Sequence, residues 1–480
     1  MDIASLNFVG FVALVVLAFH AVPLRVYRVG IVSLANAAFI ASYVGEFRQI
    51  IPLLAFLMLG YVMIELVRRR ASAAVLALGL GIVLAAYLLL KRFSFLDGLP
   101  TLPFPYLVVG LSYILFRILH LMVDARDGGL AARVPPLAFF NYTCGFLSFV
   151  SGPIERYQDF TASSERLHVR LDAGRVRHAF ARVITGYAKV IILSGIANHV
   201  FLKLEDQLLA GSDQSAGWRS VVDYGACAAA YTAYLYYNFS GYMDIVIGAG
   251  WLLDRDLPEN FNKPFQARNF LEFWARWHMT LSDWFKTYLF NPIVKSLAEA
   301  LPAPALLPYL GVVAFFATFF VMGLWHGTTA VFMIYGLVMG AGASANKLWQ
   351  VMLVSRLGRR RYRALGENPF YLYGCRGLTI AYFVVGVTCL WVDMAALDRL
   401  WAGLGPFGLC AALVLTALAA AIAMSLQDAG LAVVRRWLAC VSTLTRTHIA
   451  GNLWAATQVL AILMVASFFH KTPEFVYRAF

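Results

Sequence analysis

Charge is scarce in this chain. Asp, Glu, Lys and Arg together make up 14% of its 480 residues, where a soluble globular protein carries about 25%. Acidic residues are scarcest, 26 against 39 basic ones, and the net charge is +13. Cysteine is rare as well. The six that occur (Cys144, Cys227, Cys375, Cys389, Cys410 and Cys440) form no C-x-x-C pair. Most lie in or beside apolar runs, where a free thiol behaves as a small hydrophobe. The spacing supports neither a disulfide framework nor a zinc site. A G-x-S-x-G elbow, a Walker phosphate loop and the H-E-x-x-H and H-x-x-E-H patterns are all missing. Serine hydrolysis, nucleotide hydrolysis and zinc chemistry therefore lack support. No soluble domain is visible, since the longest polar stretches, about 152–177, 254–268 and 350–376, have the size of loops.

Apolar residues are what the chain has in excess, at 61% with a mean hydropathy of +0.71. A bilayer core is about 30 Å thick and asks for roughly 20 apolar residues per helix. Apolar runs recur near 5–22, 29–45, 49–67, 72–90, 103–123, 136–151, 179–202, 221–253, 305–325, 327–347, 377–395, 405–425 and 452–470. The pattern predicts an all-α fold: a polytopic transmembrane helical bundle of about 11–13 membrane segments, in one body over 1–480. The first run lacks a basic n-region and is soon followed by another, so it reads as a retained helix. The run at 221–253 is too long for one upright span. It is either a tilted helix or a span followed by a broken one at Gly241.

Basic residues sit between the runs, as in Arg68-Arg69-Arg70, Lys91-Arg92 and Arg359-Arg360-Arg361. That is how loop charges fix orientation in a bilayer, whereas a nucleic-acid partner would need a solvated basic stripe. The lipid bilayer is the expected partner and nucleic acid is not. One conflict arises. The loop from Arg156 to Arg177 should be cytoplasmic, yet simple alternation puts it outside. Residues 136–151 carry Asn141, Thr143, Gly145, Ser148 and Ser151, and polar irregular backbone at membrane depth needs protein or water around it. A re-entrant segment at 136–151 resolves the conflict. Residues 268–290 are too charged to span. Phe270, Trp274, Trp277, Leu281, Trp284 and Phe285 recur at helical spacing, which predicts one helix in the interface.

Three residues could carry chemistry. His326, in Gly323-Leu-Trp-His-Gly327, ends the apolar run 305–325. A titratable side chain at membrane depth is costly and faces a cavity or the bundle interior, and an imidazole can accept a proton near neutral pH. Trp325 could wall a dry pocket beside it. The other reading is a His that bonds two helices together. His278, on the aromatic segment, is a second candidate for function or for interfacial structure. Asp244 interrupts an apolar run and needs a partner or a raised pKa. It could orient a His, line a proton path, or pair with an arginine, with Arg117, beside His120, as a possible partner.

Four ordered motifs follow a pattern. Asn238-Phe-Ser-Gly-Tyr-Met-Asp244, Leu257-Pro-Glu-Asn-Phe-Asn-Lys-Pro-Phe265, Phe273-Trp-Ala-Arg-Trp-His-Met-Thr-Leu-Ser282 and Gly323-Leu-Trp-His-Gly327 resemble the membrane-bound O-acyltransferase family in its bacterial branch. Ser151-Gly-Pro-Ile-Glu-Arg-Tyr157 resembles that branch's G-P-I-x-R-Y loop. The resemblance covers a motif-bearing core at 110–345; the flanking spans match in hydropathy alone.

The resemblance implies catalytic roles for His326 and His278, and substrate contacts at Asn238, Asp244, Asn260, Asn262, Pro264, Trp277 and Trp325. It implies no bound cofactor and no metal. The donor would be a cytosolic thioester, acyl-CoA or the phosphopantetheine of an acyl carrier protein, meeting its acceptor in a central tunnel. The acceptor would be a hydroxyl of an extracytoplasmic cell-envelope polymer or a secreted partner protein, at the bacterial cytoplasmic membrane. The acyl group stays open between acetyl and D-alanyl. Val294-Lys-Ser-Leu stands where alginate-type proteins carry a Gly-Gly-Asn-Arg turn, and Phe320 to His326 with Tyr335-Gly resembles the D-alanyl branch. Length and the tail Thr472-Pro-Glu-Phe-Val-Tyr-Arg-Ala-Phe480 resemble the acetylation branch. A transporter, a lipid-modifying acyltransferase and a structural scaffold for an export complex are the other readings.

Overall fold

Apolar runs become helices throughout the computed structural model, which describes residues 1–3, 5–98, 102–130, 132–165, 172–210, 217–440 and 448–468. Among these residues no β-strand occurs. The tail from Thr472 on lies outside them. By internal contacts the chain divides into two compact units, 1–187 with 239–259, and 188–238 with 260–468.

The first unit holds α1 (Leu6–Ala21), α2 (Arg25–Ala41), α3 (Ile51–Arg70), α4 (Ala73–Lys91), α5 (Leu111–Arg126), α6 (Pro136–Thr143), α7 (Tyr157–Glu165) and α8 (Ala173–Tyr187). The second holds α9 (Ser194–Ala210), the first part of α10 (Trp218–Leu252), α11 (Phe270–Trp274), α12 (Met279–Phe285), α13 (Asn291–Ala300), α14 (Leu307–His326), α15 (Ala330–Leu365), α16 (Pro369–Gly386), α17 (Met394–Cys440) and α18 (His448–Phe468). From Phe239 on, α10 belongs to the first unit.

Among the described residues, seven helical stretches are long and apolar enough to cross a bilayer: Phe47–Arg70, Ala73–Lys91, Ala173–Leu209, Leu307–His326, Ala330–Leu365, Pro369–Leu390 and Met394–Val434. Asn7–Ala21 and Leu453–Met464 are shorter apolar helices. The chain is a multi-pass membrane protein. Not every apolar run became a span. Pro103 and Pro105 lack the N–H that a helix interior needs, so the run at 103–123 turns helical only at Leu111. The segment 136–151 contains one eight-residue helix, α6, too short to cross. The run at 221–253 is a single unbroken helix of 35 residues, with no break at Gly241.

In the first unit the carbonyls that end α6 have no partner within that helix. Arg117 supplies one from α5. Its guanidinium donates to the carbonyls of Tyr142 (3.0 Å), Thr143 (2.8 Å) and Ser148 (3.0 Å), and to Ser148 Oγ (2.7 Å). Arg117 is therefore not the partner of Asp244. That partner is Arg182 of α8, whose Nε donates to Asp244 at 3.0 Å. The same guanidinium grips Glu259 with both terminal nitrogens, at 2.5 and 2.6 Å.

In the second unit α14 and α15 form a hairpin around the W-H-G motif. Helices in lipid associate through close packing of small residues, and here backbone meets backbone. A Cβ on Gly323 would fall on the backbone of Gly336. A Cβ on Gly336 would lie 2.6 Å from the carbonyl oxygen of Phe320. This contact fixes the end of α14, where His326 is the last helical residue.

Candidate active site

The stretch 268–290 is not the single interfacial helix that its spacing predicts. It is α11, a break, α12, and a π-helical turn at Lys286–Phe290 running into α13. The break is held open by the loop before it. Asn260 accepts Met279 N–H on its backbone oxygen at 2.9 Å. Its side-chain Oδ1 accepts Thr280 N–H at 3.0 Å and Thr280 Oγ1–H at 2.8 Å. These are donors of the first turn of α12, which a helix leaves without internal partners. Asn260 thus caps α12 from outside it. Arg276 closes the break from the other side, its carbonyl accepting Asn262 N–H at 2.9 Å.

His278 sits at the hinge of this arrangement with φ 46° and ψ 53°. Side chains other than Gly rarely adopt this left-handed region, although His is among the more tolerant types. Such strain persists where surrounding bonds over-determine it. His278 is 1% exposed, and its Nδ1 lies 3.3 Å from Asn260 Oδ1. That oxygen already accepts a backbone N–H, so it must be the oxygen of the amide. The Nδ1 of His278 is then the donor, and its Nε2 carries the lone pair.

His326 reaches the same tautomer by another route. Its Nδ1 lies 2.7 Å from the carbonyl oxygen of Met322, one turn back on α14. A carbonyl only accepts, so Nδ1 carries the proton and Nε2 carries the lone pair. The ring is 2% exposed and stands edge-on between Trp325 (centroids 4.9 Å) and Tyr335 of α15 (5.2 Å). The two histidines belong to the same unit, and His278 lies close enough to His326 to feel its charge. Two basic nitrogens thus share one buried, aromatic-walled neighbourhood.

The remaining sequence-predicted residues fall into place around this pair or away from it. Trp277 is buried under an aromatic cluster, stacked on Phe273 at 5.6 Å and packed on Phe383 at 4.8 Å and Phe261 at 5.1 Å. Pro264 is buried and opens a short 3-10 turn, Pro264–Gln266. Asn262 contributes its backbone; its side chain is exposed. Asn238 is buried in α10 and donates to Ser194 Oγ at 3.3 Å. Asp244 lies in the first unit, in its ion pair with Arg182. Among the described residues no group of three His, Cys, Asp or Glu is placed to hold a metal ion.

Sequence reasoning missed two supports. The carbonyl of Met322 carries no side-chain signal, although its position four residues before His326 is where a helical His can bond back. Thr280, two residues past His278, could have been suspected as a first-turn residue once the break was known. The break itself has no marker, since neither Pro nor Gly occurs in 268–290 before Pro292.

Comparison with known proteins adds a second line of observation. Residues 38–386 match the profile of the MBOAT, membrane-bound O-acyltransferase family. The teichoic acid D-alanyltransferase of Bacillus subtilis (strain 168) is 30% identical over 230 residues, 48% of this chain and 56% of that one. The probable alginate O-acetylase AlgI of Azotobacter vinelandii is 30% identical over 234 residues, 48% of this chain and 42% of that one. The corresponding protein of Pseudomonas putida is 27% identical over 286 residues, 56% and 54% of the two chains. The chain spans about half the length of these relatives.

Proposed function

The chain belongs to the membrane-bound O-acyltransferase family, and from that premise we propose that it moves an acyl group from a thioester to a hydroxyl, with His326 as the general base. The observation that carries the proposal is the 2.7 Å bond from His326 Nδ1 to Met322 O. It fixes the ring in the tautomer whose Nε2 carries the lone pair, the state a base needs before it acts. Nε2 takes the proton of the acceptor hydroxyl as its oxygen attacks the thioester carbonyl carbon. The tetrahedral intermediate then collapses, the C–S bond breaks, and the proton passes from the imidazolium to the departing sulfur. The products are an ester and a free thiol. A positioned base of this kind contributes typically 10²–10⁴-fold, and holding both reactants in place supplies about 7–11 kcal/mol more.

His278 acts with His326 from across the shared neighbourhood, holding a second basic nitrogen near the reacting atoms. Asn260, Asn262 and Pro264 shape the loop that positions it. Trp277 and Trp325 exclude water. Asn238 and Asp244 contact the substrate, with Ser194 and Arg182 as the partners that orient them. The donor is a cytosolic thioester, acyl-CoA or a carrier-bound phosphopantetheine. The acceptor is a hydroxyl of an extracytoplasmic envelope polymer or of a secreted partner, reached through a central tunnel in the bacterial cytoplasmic membrane. The names of the relatives divide between D-alanyl and acetyl transfer, and both belong to the proposal.

The test uses the full chain, purified in detergent, with labelled acetyl-CoA and labelled D-alanyl carrier protein offered separately. Transfer of label to an envelope polymer from either donor supports the reading, and failure with both overturns it. A carrier would give no transfer. A lipid-modifying enzyme would label lipid instead.

A further inference from the structure

The second unit contains a cavity of about 620 Å³ that neither histidine lines, bounded by the start of α11 and by α15 and α16. Its place follows from the chain. α15 has 36 residues, well beyond the roughly 20 that a bilayer core takes, so its last turns lie past the apolar layer. Those turns carry Arg356, Arg359, Arg360, Arg361 and Arg363, all exposed. Neither α15 nor α16 contains an Asp or Glu. Such an arginine cluster marks the cytoplasmic end of a span.

Three observations on the lining point to one kind of ligand. The first is charge. Arg268 and Arg363 both line the cavity, and among the described residues no Asp or Glu does. Glu272, the carboxylate nearest Arg268 in sequence, is held by Arg276 at 2.7 Å. Among the described residues neither lining guanidinium has an ion-pair partner. Two cations that share one space repel each other, and an anion bound by both removes that repulsion. The second observation is order. From the α15–α16 junction the lining runs from Arg363, through Trp349 and Tyr371, to Ala345 and Leu378. Trp349 Nε1 donates to the Tyr371 hydroxyl at 3.1 Å. Trp and Tyr collect at headgroup level, and Leu378 is an exposed apolar residue on a spanning helix. Cation, aromatic collar and apolar wall follow the sequence of parts in a phospholipid. The third is size. The roughly ten non-hydrogen atoms of a phosphoglycerol headgroup fill ~300 Å³ even at the ~30 Å³ that a water molecule occupies in the liquid. The cavity has room for that headgroup and the first carbons of the acyl chains.

We propose that this cavity holds one anionic phospholipid of the cytoplasmic leaflet, its phosphate paired with Arg268 and Arg363 and its acyl chains leaving along Leu378. Basic pockets between spanning helices bind anionic headgroups in this way. Arg268 opens the segment that runs through α11 to His278, so the bound lipid ties that segment to the α15–α16 junction. The inference stands apart from the acyl-transfer reading, and its test reads binding rather than turnover.

The test is the thermal midpoint of the full chain in dodecylmaltoside, titrated with dioleoyl phosphatidylglycerol, dioleoyl phosphatidylcholine or inorganic phosphate. A ligand that binds only the folded protein raises the midpoint as its concentration passes Kd. Phosphatidylglycerol should raise it by several degrees and saturate, and the other two should leave it within about a degree. Arg268→Gln with Arg363→Gln should need roughly tenfold more phosphatidylglycerol for the same rise, the effect of two arginines at a membrane surface. Arg359→Gln with Arg361→Gln removes the same charge outside the cavity and should stay within about threefold. An equal rise with phosphatidylcholine overturns the inference. A rise with inorganic phosphate alone assigns the cavity to a free anion and overturns it too. Equal weakening in the two double variants reduces the effect to surface charge and also overturns it. If the Arg268 and Arg363 double variant fails to fold, native mass spectrometry of the unaltered protein decides. From an equimolar mixture it should retain one phosphatidylglycerol in preference to phosphatidylcholine; no preference overturns the inference.

Discussion

The side chain of His326 bonds back to the carbonyl of Met322, four residues earlier on the same helix, at 2.7 Å. The bond has a chemical consequence and a mechanical one. Chemically it selects the tautomer that leaves Nε2 basic. Mechanically it ties the ring to the end of α14, so whatever moves that helix end moves the base.

The mechanical consequence makes the α14–α15 contact a test of the site. Gly336→Ala should lower both the thermal midpoint and the transfer rate. The added methyl meets the Phe320 carbonyl at 2.6 Å, and forced overpacking costs typically 1–3 kcal/mol. Gly10→Ala is the control, since a Cβ there meets nothing within 4 Å. Thermal scans in detergent should separate the two variants by several degrees.

The Asn260 cap predicts an asymmetry within one loop. Asn260→Ala removes the oxygen that accepts both donors of Thr280 and the Nδ1–H of His278. It should cost about 1–3 kcal/mol of stability and lower kcat by releasing His278 from its left-handed setting. Asn262→Ala should leave stability within about 0.5 kcal/mol, because only its backbone bonds to Arg276. Parallel melts of the two variants check this.

The ion pair in the first unit predicts another ordering. Arg182→Ala removes the guanidinium that Asp244 and Glu259 now share. Asp244→Asn keeps an oxygen that can still accept from Arg182 Nε. The arginine variant should therefore be the more destabilised, by about 1–3 kcal/mol for its lost charged hydrogen bonds. Equal melting shifts for the two variants would argue that Asp244 does something other than hold Arg182.

Much of this could be read from the sequence, because hydropathy and motif chemistry are local. The membrane-embedded helical fold, the break-free α10 as one of two alternatives, and the short segment at 136–151 all follow from apolar length and polar interruption. The partner of Asp244 did not. Arg117 and Arg182 are both flanked by apolar residues, and only the fold shows that Arg117 serves the end of α6. The break at His278 did not either. Its aromatic spacing is helical on both sides, and what interrupts it is a bond from Asn260, eighteen residues away. Sequence periodicity cannot register a cap supplied from another loop.

Acyl transfer by this chain depends on His326 as its base. The most direct measurement is the rate of acyl transfer from a labelled thioester by purified His326→Ala, with its thermal midpoint matched to the unaltered protein. A loss of at least about 10²-fold, the lower bound for a positioned base, is the predicted result. Transfer within a few-fold of normal by a folded variant would contradict it and return His326 to a structural role.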